Sequence, residues 1–196
     1  MSTPRGLERL WSPWRMSYVA GAPGGPKRGA RRRLTGATKP RRRVKRDEDC
    51  LFCRVGASRD DRENLVLVRR PNALLMLNRF PYNPAHVMVA VRAHVARFAD
   101  LNPAERSELL ELTALAERAL EAEYRPHGIN AGANLGRVAG AGFPGHLHLH
   151  LVPRWDGDTN FMPVIGATRV LPEAIGRTWT RLRRAIAALE GRARRG

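Results

Sequence analysis

The sequence predicts an α+β fold: an antiparallel sheet with one main helix between strands and a C-terminal helix. Two observations predict it. Five short runs rich in leucine or β-branched residues are bounded by turn residues, as in a meander, and two longer segments keep the spacing of a helix. The runs cover residues 64–69, 73–78, 86–91, 129–135 and 146–152 of the 196-residue chain.

The helices are predicted from their starts and their periodicity. Asn102 can cap a helix, Pro103 suits the first helical position and Glu105 suits the third. Apolar residues at helical spacing then continue to about Tyr124, where a Pro-His-Gly segment ends the helix. A second helix is predicted over residues 171–189.

Composition divides the chain into four parts. Residues 1–20 are too apolar for a loose tail and are predicted to form an N-terminal packing arm, on the body or on a second subunit. Residues 21–46 are rich in Gly, Pro and Arg and are predicted to be a basic disordered insert. Residues 47–190 form the predicted folded domain, and residues 191–196 a basic tail.

The net charge of +17 is concentrated in two segments. Residues 27–46 hold eleven Lys or Arg and no acid, and most of the remaining excess lies at the C-terminus, so the rest of the chain is nearly neutral. Basic segments of this kind bind polyanions without reading sequence. We therefore expect either non-specific polyanion contact through residues 27–46 or a solvated insert without a partner.

Composition also excludes two classes of protein. No uninterrupted apolar run exceeds five residues, whereas a membrane helix needs roughly 20, so no membrane contact is predicted. The two cysteines, Cys50 and Cys53, are too few for a disulfide framework. A reducing, cytoplasmic location fits this use of cysteine.

The segment Gly-His-Leu-His-Leu-His-Leu-Val-Pro, residues 145–153, is the most informative stretch of the chain. A strand has a side-chain period of two, so His146, His148 and His150 share one face and the intervening leucines share the other. Successive imidazoles are expected roughly 7 Å apart. Imidazole supplies a nucleophilic nitrogen, a proton carrier and a metal ligand at neutral pH, so three in a row indicate chemistry or metal binding.

Two neighbouring features favour a phosphate as the partner of these histidines. Residues 132–145 contain five glycines, whose main-chain N–H groups can approach an anion closely. His86 opens an earlier predicted strand and can join the histidines as a fourth member of the site. Taken singly, these features also fit a flexible hairpin loop and a structural histidine.

The histidine segment resembles the signature of the histidine-triad superfamily of nucleotide hydrolases and transferases, His-x-His-x-His-x-x with apolar residues between. The resemblance extends over residues 7–20 and 47–190. Segments 51–53 and 78–87 resemble the superfamily's N-terminal segment and its upstream strand pair. Segments 10–16, 134–136, 153–155 and 157–161 look like the bacterial branch close to diadenosine-tetraphosphate phosphorylases and hydrolases. The resemblance implies the histidine-triad fold, a nucleotide substrate, and a homodimer formed through the main helix and a sheet edge.

The resemblance further implies a catalytic group of His148, His150, His86 and His146. His148 would attack the α-phosphorus of a dinucleoside polyphosphate or adenylyl conjugate and form a nucleotidyl-histidine, which water or phosphate would then resolve. His150 would contact the phosphate and handle protons, and His86 would orient the site.

The implied nucleotide-binding group is Asn78, Asn134, Gly140, Gly142, Phe52 and Val55. Asn78 would contact a ribose hydroxyl, although it also fits a turn residue. Asn134 would hold phosphate oxygens together with the N–H groups of the two glycines. Phe52 and Val55 would line the base pocket or, equally, the core. Many relatives carry Gln or Ser at the positions of Gly142 and Phe143, so a side-chain donor is missing here, and the choice of acceptor stays open.

Cys50-Leu51-Phe52-Cys53 is a Cys-x-x-Cys motif, which alone fits a redox pair, half of a zinc site or two free thiols. Zinc-bearing members of the superfamily resemble this chain at two further histidines, one of them eight residues after the position of His86. The resemblance therefore implies a structural Zn²⁺ with four ligands: Cys50, Cys53, His94 and His146.

Two other functions stay open at this point. A nucleic-acid-associated protein would use the basic insert, and its salt-sensitive binding would disappear when residues 27–46 are deleted. A non-catalytic, zinc-stabilised nucleotide-binding protein would hold the metal and the nucleotide without turnover.

Overall fold

A computed structural model describes residues 47–158 and 173–193 of the chain. Within them, five strands form one sheet in the order β1-β2-β3-β5-β4, with every neighbouring pair antiparallel. The strands are β1 (Val66–Arg69), β2 (Ala73–Leu77), β3 (Val87–Val91), β4 (Gly128–Gly132) and β5 (His148–Arg154). The helices are α1 (Leu51–Ala57), α2 (Pro103–Tyr124) and α3 (Ile175–Ala193). The predicted α+β architecture is confirmed.

Helices cover both faces of the sheet, which explains the unbroken apolar runs of β2 and β3. Every residue of these two strands is buried. Alternate side chains go to opposite sides. Val87 and Val89 pack in the cluster that includes residues of α2 and α3, whereas Met88 and Ala90 pack in the cluster that includes α1.

Helix α2 begins where the sequence predicts, with a reciprocal cap. The side chain of Asn102 accepts a hydrogen bond from the main-chain N–H of Glu105, and the Glu105 carboxylate accepts from the main-chain N–H of Asn102. Pro103 occupies the first helical position, and Arg125 ends the helix in the left-handed conformation. The helix then packs against β2, β3 and α3.

Several boundaries differ from the prediction. Strand β5 begins at His148 rather than His146, because the main-chain N–H of His146 closes a turn onto the carbonyl of Phe143. Strand β4 already ends at Gly132. Helix α3 continues to Ala193, into the segment predicted as a basic tail. Helix α1 has no counterpart among the predicted elements.

Some predictions fall outside the described residues. These are the N-terminal arm (residues 1–20) and the basic insert (residues 21–46), and residues 159–172 and 194–196 are likewise outside. In the ranges that the structure does describe, no helix has both the length and the apolar character needed to cross a membrane.

Candidate active site and metal cluster

The histidine row lies on the face of the sheet that α1 covers. His148 and His150 stand opposite Ala90 and Met88 of β3, while Leu151 packs into the cluster on the other face. The predicted alternation therefore holds along the strand. The ring centroids of His148 and His150 are only 4.9 Å apart. The predicted spacing of roughly 7 Å is wrong for the rings, because the side chains lean together and meet edge to face.

His148 is held in one tautomer by the main chain. Its Nδ1 lies 2.8 Å from the carbonyl oxygen of His146, which can only accept, so Nδ1 carries the proton and Nε2 keeps its lone pair. The ring of Phe52 packs against this imidazole at a centroid distance of 4.5 Å. Burial lowers the pKa of His148. The ring is therefore neutral at neutral pH, and Nε2 can act as a nucleophile.

His86 and His150 form a hydrogen-bonded pair, in which the tautomer of His86 determines the tautomer of His150. The main-chain N–H of Tyr82 donates to Nδ1 of His86 over 3.2 Å, so the neutral His86 ring carries its proton on Nε2. That Nε2 lies 2.9 Å from Nδ1 of His150. His150 therefore accepts at Nδ1 and carries its own proton on Nε2, which can donate a hydrogen bond to a substrate oxygen.

His150 is uncharged at neutral pH. Burial, together with the neighbouring His148, lowers the pKa of His150 to about 4. His86 is completely buried. Neutral rings avoid the repulsion that several imidazolium groups at these distances would cause.

His146, the first histidine of the row, has its ring directed at two thiols. Nε2 of His146 donates to the carbonyl of Val91 over 2.7 Å, which leaves Nδ1 as an acceptor. That Nδ1 lies 3.3 Å from Sγ of Cys50 and 3.7 Å from Sγ of Cys53. Nδ1 of His94 lies 3.2 Å from Sγ of Cys53. The four ligand atoms are all within 4.8 Å of one another.

The four side chains of this cluster are close enough together to bind one metal ion. Cys50 precedes the first residue of α1 and Cys53 lies about one turn later, so both thiols project to the same side. At zinc bond lengths of about 2.0–2.3 Å, tetrahedral ligands are roughly 3.3–3.8 Å apart, and the three Sγ–Nδ1 separations of 3.2, 3.3 and 3.7 Å are close to that range. Two thiols and two imidazoles also form a donor set that closed structural sites use. The cluster could therefore bind a metal.

Three residues of the predicted nucleotide-binding group have structural contacts of their own. Nδ2 of Asn78 lies 3.3 Å from Nδ1 of His86, and Oδ1 of Asn78 accepts from the main-chain N–H of Phe80. Phe52 is buried against the triad, and Val55 is buried in the same α1 cluster. Nucleotide contacts by these residues stay predictions.

The glycine-rich loop, residues 132–145, lies directly before the histidine row. Nδ2 of Asn134 donates to the carbonyl of Gly140 over 3.3 Å, and the N–H of Gly140 donates to the carbonyl of Arg137. Gly140 has a φ of 87°, which favours glycine. Its N–H is thus engaged within the loop. No described residue accepts from the N–H of Gly142, so this group is the better candidate for an anion.

Sequence reasoning missed contacts between segments that are distant along the chain. A Cβ at Gly145 would lie 3.3 Å from Nε2 of His94, so this glycine makes room for a predicted metal ligand. Nδ2 of Asn83 donates to the carbonyl of Pro153 and to Asp158, which lie 70 and 75 residues further along. Gly145 stood out in the sequence as part of the glycine-rich loop, but the sequence did not show that it lies next to His94. Nothing in the sequence pattern marked Asn83.

Comparison with known proteins gives matches along most of the chain. The family model described as HIT domain matches residues 59–157. The chain is 38% identical over 175 residues to a Mycobacterium tuberculosis protein named AP-4-A phosphorylase, covering 86% of this chain and 79% of that protein. It is 35% identical over 99 residues to a bifunctional bis(5'-adenosyl)-triphosphatase/adenylylsulfatase of Arabidopsis thaliana, covering 50% of this chain and 53% of that protein.

Solved structures share the fold. A Zn-bound histidine triad family protein from Mycobacterium smegmatis has a TM-score of 0.58 and 24% identity, covering 73% of this chain and 96% of that chain. The chain belongs to the HIT, or histidine-triad, family. The predicted resemblance is thereby confirmed. The name of the mycobacterial relative is that of an enzyme in the predicted class, the nucleotide hydrolases and transferases.

Proposed function

We propose that this protein is a nucleotidyl-transferring enzyme that cleaves dinucleoside polyphosphates, such as diadenosine tetraphosphate, at the α-phosphate. The observation that carries the proposal is the tautomer of His148, whose Nδ1–H is bound by a main-chain carbonyl while Nε2 keeps its lone pair. A neutral and oriented imidazole meets the requirements of nucleophilic attack on phosphorus. The names of two relatives support the substrate class.

The proposed reaction has two steps. Nε2 of His148 forms a bond to the α-phosphorus, and the bond from that phosphorus to the bridging oxygen breaks, so diadenosine tetraphosphate releases ATP and leaves an adenylyl group on the histidine. An acceptor oxygen then bonds to the phosphorus and displaces the imidazole. Phosphate as the acceptor gives ADP, whereas water gives AMP. We take phosphate as the acceptor, because the relative that is 38% identical is named a phosphorylase.

The neighbouring residues have proposed roles in the same steps. His150 would donate a hydrogen bond from Nε2–H to the leaving oxygen, which departs as an anionic phosphate oxygen of ATP, while the proton of the acceptor passes to solvent and His86 keeps the ring oriented. The N–H of Gly142 and the side chain of Asn134 would hold non-bridging phosphate oxygens. Asn78 would contact a ribose hydroxyl.

Incubating the full-length protein with diadenosine tetraphosphate and phosphate, followed by nucleotide separation, tests this proposal. We expect equal amounts of ATP and ADP, and a rate reduced by at least about 10³-fold in His148→Ala. His127→Ala is the matched control, because His127 is an exposed histidine outside the row, and it should keep the wild-type rate.

Each other outcome counts against a defined part of the proposal. A His148→Ala protein with the wild-type rate would contradict the nucleophile. If the products are ATP and AMP instead of ATP and ADP, the acceptor is water rather than phosphate. Nucleotide binding without any turnover in the wild type would favour the non-catalytic alternative.

We also propose that the cluster of Cys50, Cys53, His94 and His146 binds Zn²⁺ as a structural ion. Zinc would connect α1 to the segment before β5 by direct bonds and neutralise two thiolates. A reducing, cytoplasmic location suits the two free thiols that this site requires. Elemental analysis of the purified protein should give one zinc per chain, and none in Cys50→Ser/Cys53→Ser.

A homodimer is proposed from the family resemblance. Strand β4 is at the edge of the sheet and most of its residues are exposed, which suits pairing with a second copy. Sedimentation equilibrium should give twice the chain mass of 21.9 kDa. A monomer mass at micromolar concentration would exclude the dimer.

The basic segment, residues 27–46, is proposed to make non-specific polyanion contact that localises the enzyme. Deleting it should abolish salt-sensitive binding to a DNA duplex and leave turnover of diadenosine tetraphosphate unchanged. Duplex binding that survives the deletion would remove this role.

A further inference from the structure

Asn83 connects the turn before β3 to the residues that follow β5. Its Nδ2 donates to the carbonyl of Pro153 over 2.9 Å and to Oδ2 of Asp158 over 2.8 Å. Its carbonyl oxygen accepts from the main-chain N–H of His86 over 3.2 Å. The preceding residue, Tyr82, provides the N–H that donates to Nδ1 of His86. The main-chain contacts of His86 with this turn therefore depend on where Asn83 is held.

Asp158 is a fixed anchor for that side chain. Its carboxylate lies 2.6 Å from Nε of Arg154 and 2.9 Å from Nη2, and it also accepts from the main-chain N–H of Trp155. Hydrogen bonds from the Arg154 guanidinium hold the pKa of Asp158 well below its usual range. Arg154 in turn donates to Asn130 of β4. With these partners, the carboxylate is suited to holding Asn83 in place rather than to binding a cation.

The turn itself contains a backbone conformation that needs support. Ala85, directly before His86, has a φ of 59°, in the left-handed region that L-residues with a Cβ rarely adopt. Such conformations persist where surrounding contacts hold them, and they are frequent at functional sites. The two hydrogen bonds of the Asn83 side chain are contacts of this kind, because they join the turn to β5 and the segment after it.

We propose that Asn83, anchored by Asp158, is a positioning residue for the His86–His150 pair. It holds the turn so that the N–H of Tyr82, next to Nδ2 of Asn78, selects the Nε2–H tautomer of His86, which orients His150. Asn83 touches no reacting group. Its effect on rate rests on the proposed function, whereas its effect on the tautomer of His86 is independent of the substrate.

Nitrogen-15 NMR of histidine-labelled full-length protein, combined with kinetics on diadenosine tetraphosphate, tests this role. In Asn83→Ala we expect the population of the Nδ1–H tautomer of His86 to rise at least about 10-fold. We expect kcat to fall about 10-fold, with KM changed by less than about twofold, because small displacements of a catalytic group act on kcat. Asn130→Ala is the matched control, since it removes another partner of Arg154 without touching the turn, and it should change neither quantity.

A double-mutant cycle strengthens the test. Asn83 and Asp158 act through one contact, so Asn83→Ala/Asp158→Ala should reduce kcat no more than the more damaging single change. Additive losses would contradict the shared role. If Asn83→Ala fails to fold, Asn83→Asp keeps the size of the side chain, places a second carboxylate against Asp158 and gives the same readout.

The outcomes separate this inference from the proposed function. A folded Asn83 variant with the wild-type tautomer of His86 would overturn the positioning role, whatever its activity. A shifted tautomer in the variant would support the positioning role even if the wild type shows no turnover, and that absence of turnover would count against the proposed function alone.

Discussion

The two ends of the histidine row use the same side chain in opposite ways. At one end, Nε2 of His146 donates to the carbonyl of Val91 and Nδ1 faces two thiols. At the other end, Nδ1 of His150 accepts from His86 and Nε2 holds the proton. At each end the neighbour of one ring nitrogen decides whether the other nitrogen is left as an acceptor, which can bind a metal, or as a donor to a substrate oxygen.

The middle histidine is connected to both ends. Its Nδ1–H binds the carbonyl oxygen of His146, so the proposed nucleophile is hydrogen-bonded to a residue of the candidate metal cluster. Its ring meets that of His150 edge to face at 4.9 Å. Changes at the His146 end should therefore affect metal binding and the stability of the fold. Changes at the His150 end should affect the rate of the reaction.

The largest expected effect comes from breaking the metal end. His94→Gln should abolish stoichiometric metal binding and lower the free energy of unfolding by about 3 kcal/mol or more, because a structural metal binds the folded state and not the unfolded chain. Metal analysis and urea unfolding provide the measurement. His127→Gln, at an exposed histidine, is the control. Equal unfolding of the wild type with and without a chelator would contradict a structural metal.

The next effect comes from breaking the His150 end of the row. His150→Asn should lower kcat about 10²-fold, which is typical of losing one hydrogen-bond donor to the charge that develops in the transition state, while the metal content stays at the wild-type value. The measurement is steady-state kinetics together with metal analysis on the same preparation. Loss of the metal in this variant would show that the two ends are not separable.

A smaller effect should follow from crowding His94. In Gly145→Ala the new Cβ would lie 3.3 Å from Nε2 of His94, so the ring must shift by a few tenths of an ångström and we expect metal affinity to fall about 10-fold. Gly142→Ala is the matched control, because a Cβ there meets nothing within 4 Å. Competition with a chromogenic chelator measures both affinities. Equal affinities for the two variants would contradict this account of Gly145.

The smallest expected effect is a pH dependence of stability at His150. Its pKa is about 4 in the folded chain and about 6.5 when unfolded, so the unfolded chain binds a proton between these values that the folded chain does not. The ring therefore destabilises the fold increasingly as pH falls from 6.5 towards 4 and has no such effect above 6.5. Urea unfolding at pH 7 and pH 5 should show a smaller loss for His150→Asn than for the wild type. Parallel losses would contradict the lowered pKa.

Local patterns were sufficient to predict much of the fold. The alternation of histidine and leucine gave the two faces of β5, because a strand period needs no distant partner. The start of α2 at Asn102 and Pro103 was predictable for the same reason, since its reciprocal cap involves residues three apart. Helix α1 was missed, because its seven residues are too short for a clear periodicity and are packed on the sheet by tertiary contacts.

The candidate site was likewise predicted only in part. The ligand cluster was predicted from the resemblance, since Cys53 and His94 are 41 residues apart and Cys50 and His146 are 96 apart, and no local pattern relates them. The tautomers could not be predicted at all. They depend on main-chain groups, such as the N–H of Tyr82, whose position no side-chain identity encodes.

The proposed adenylyl-histidine can be sought directly by trapping it on the chain. Full-length protein mixed with diadenosine tetraphosphate in the absence of phosphate, quenched in base and digested, should contain one adenylyl group, located by mass spectrometry on His148. The same treatment of His148→Ala should leave every peptide unmodified. An adenylyl group on a different residue, or a burst of ATP release with no adduct on the chain, would contradict nucleophilic catalysis by His148.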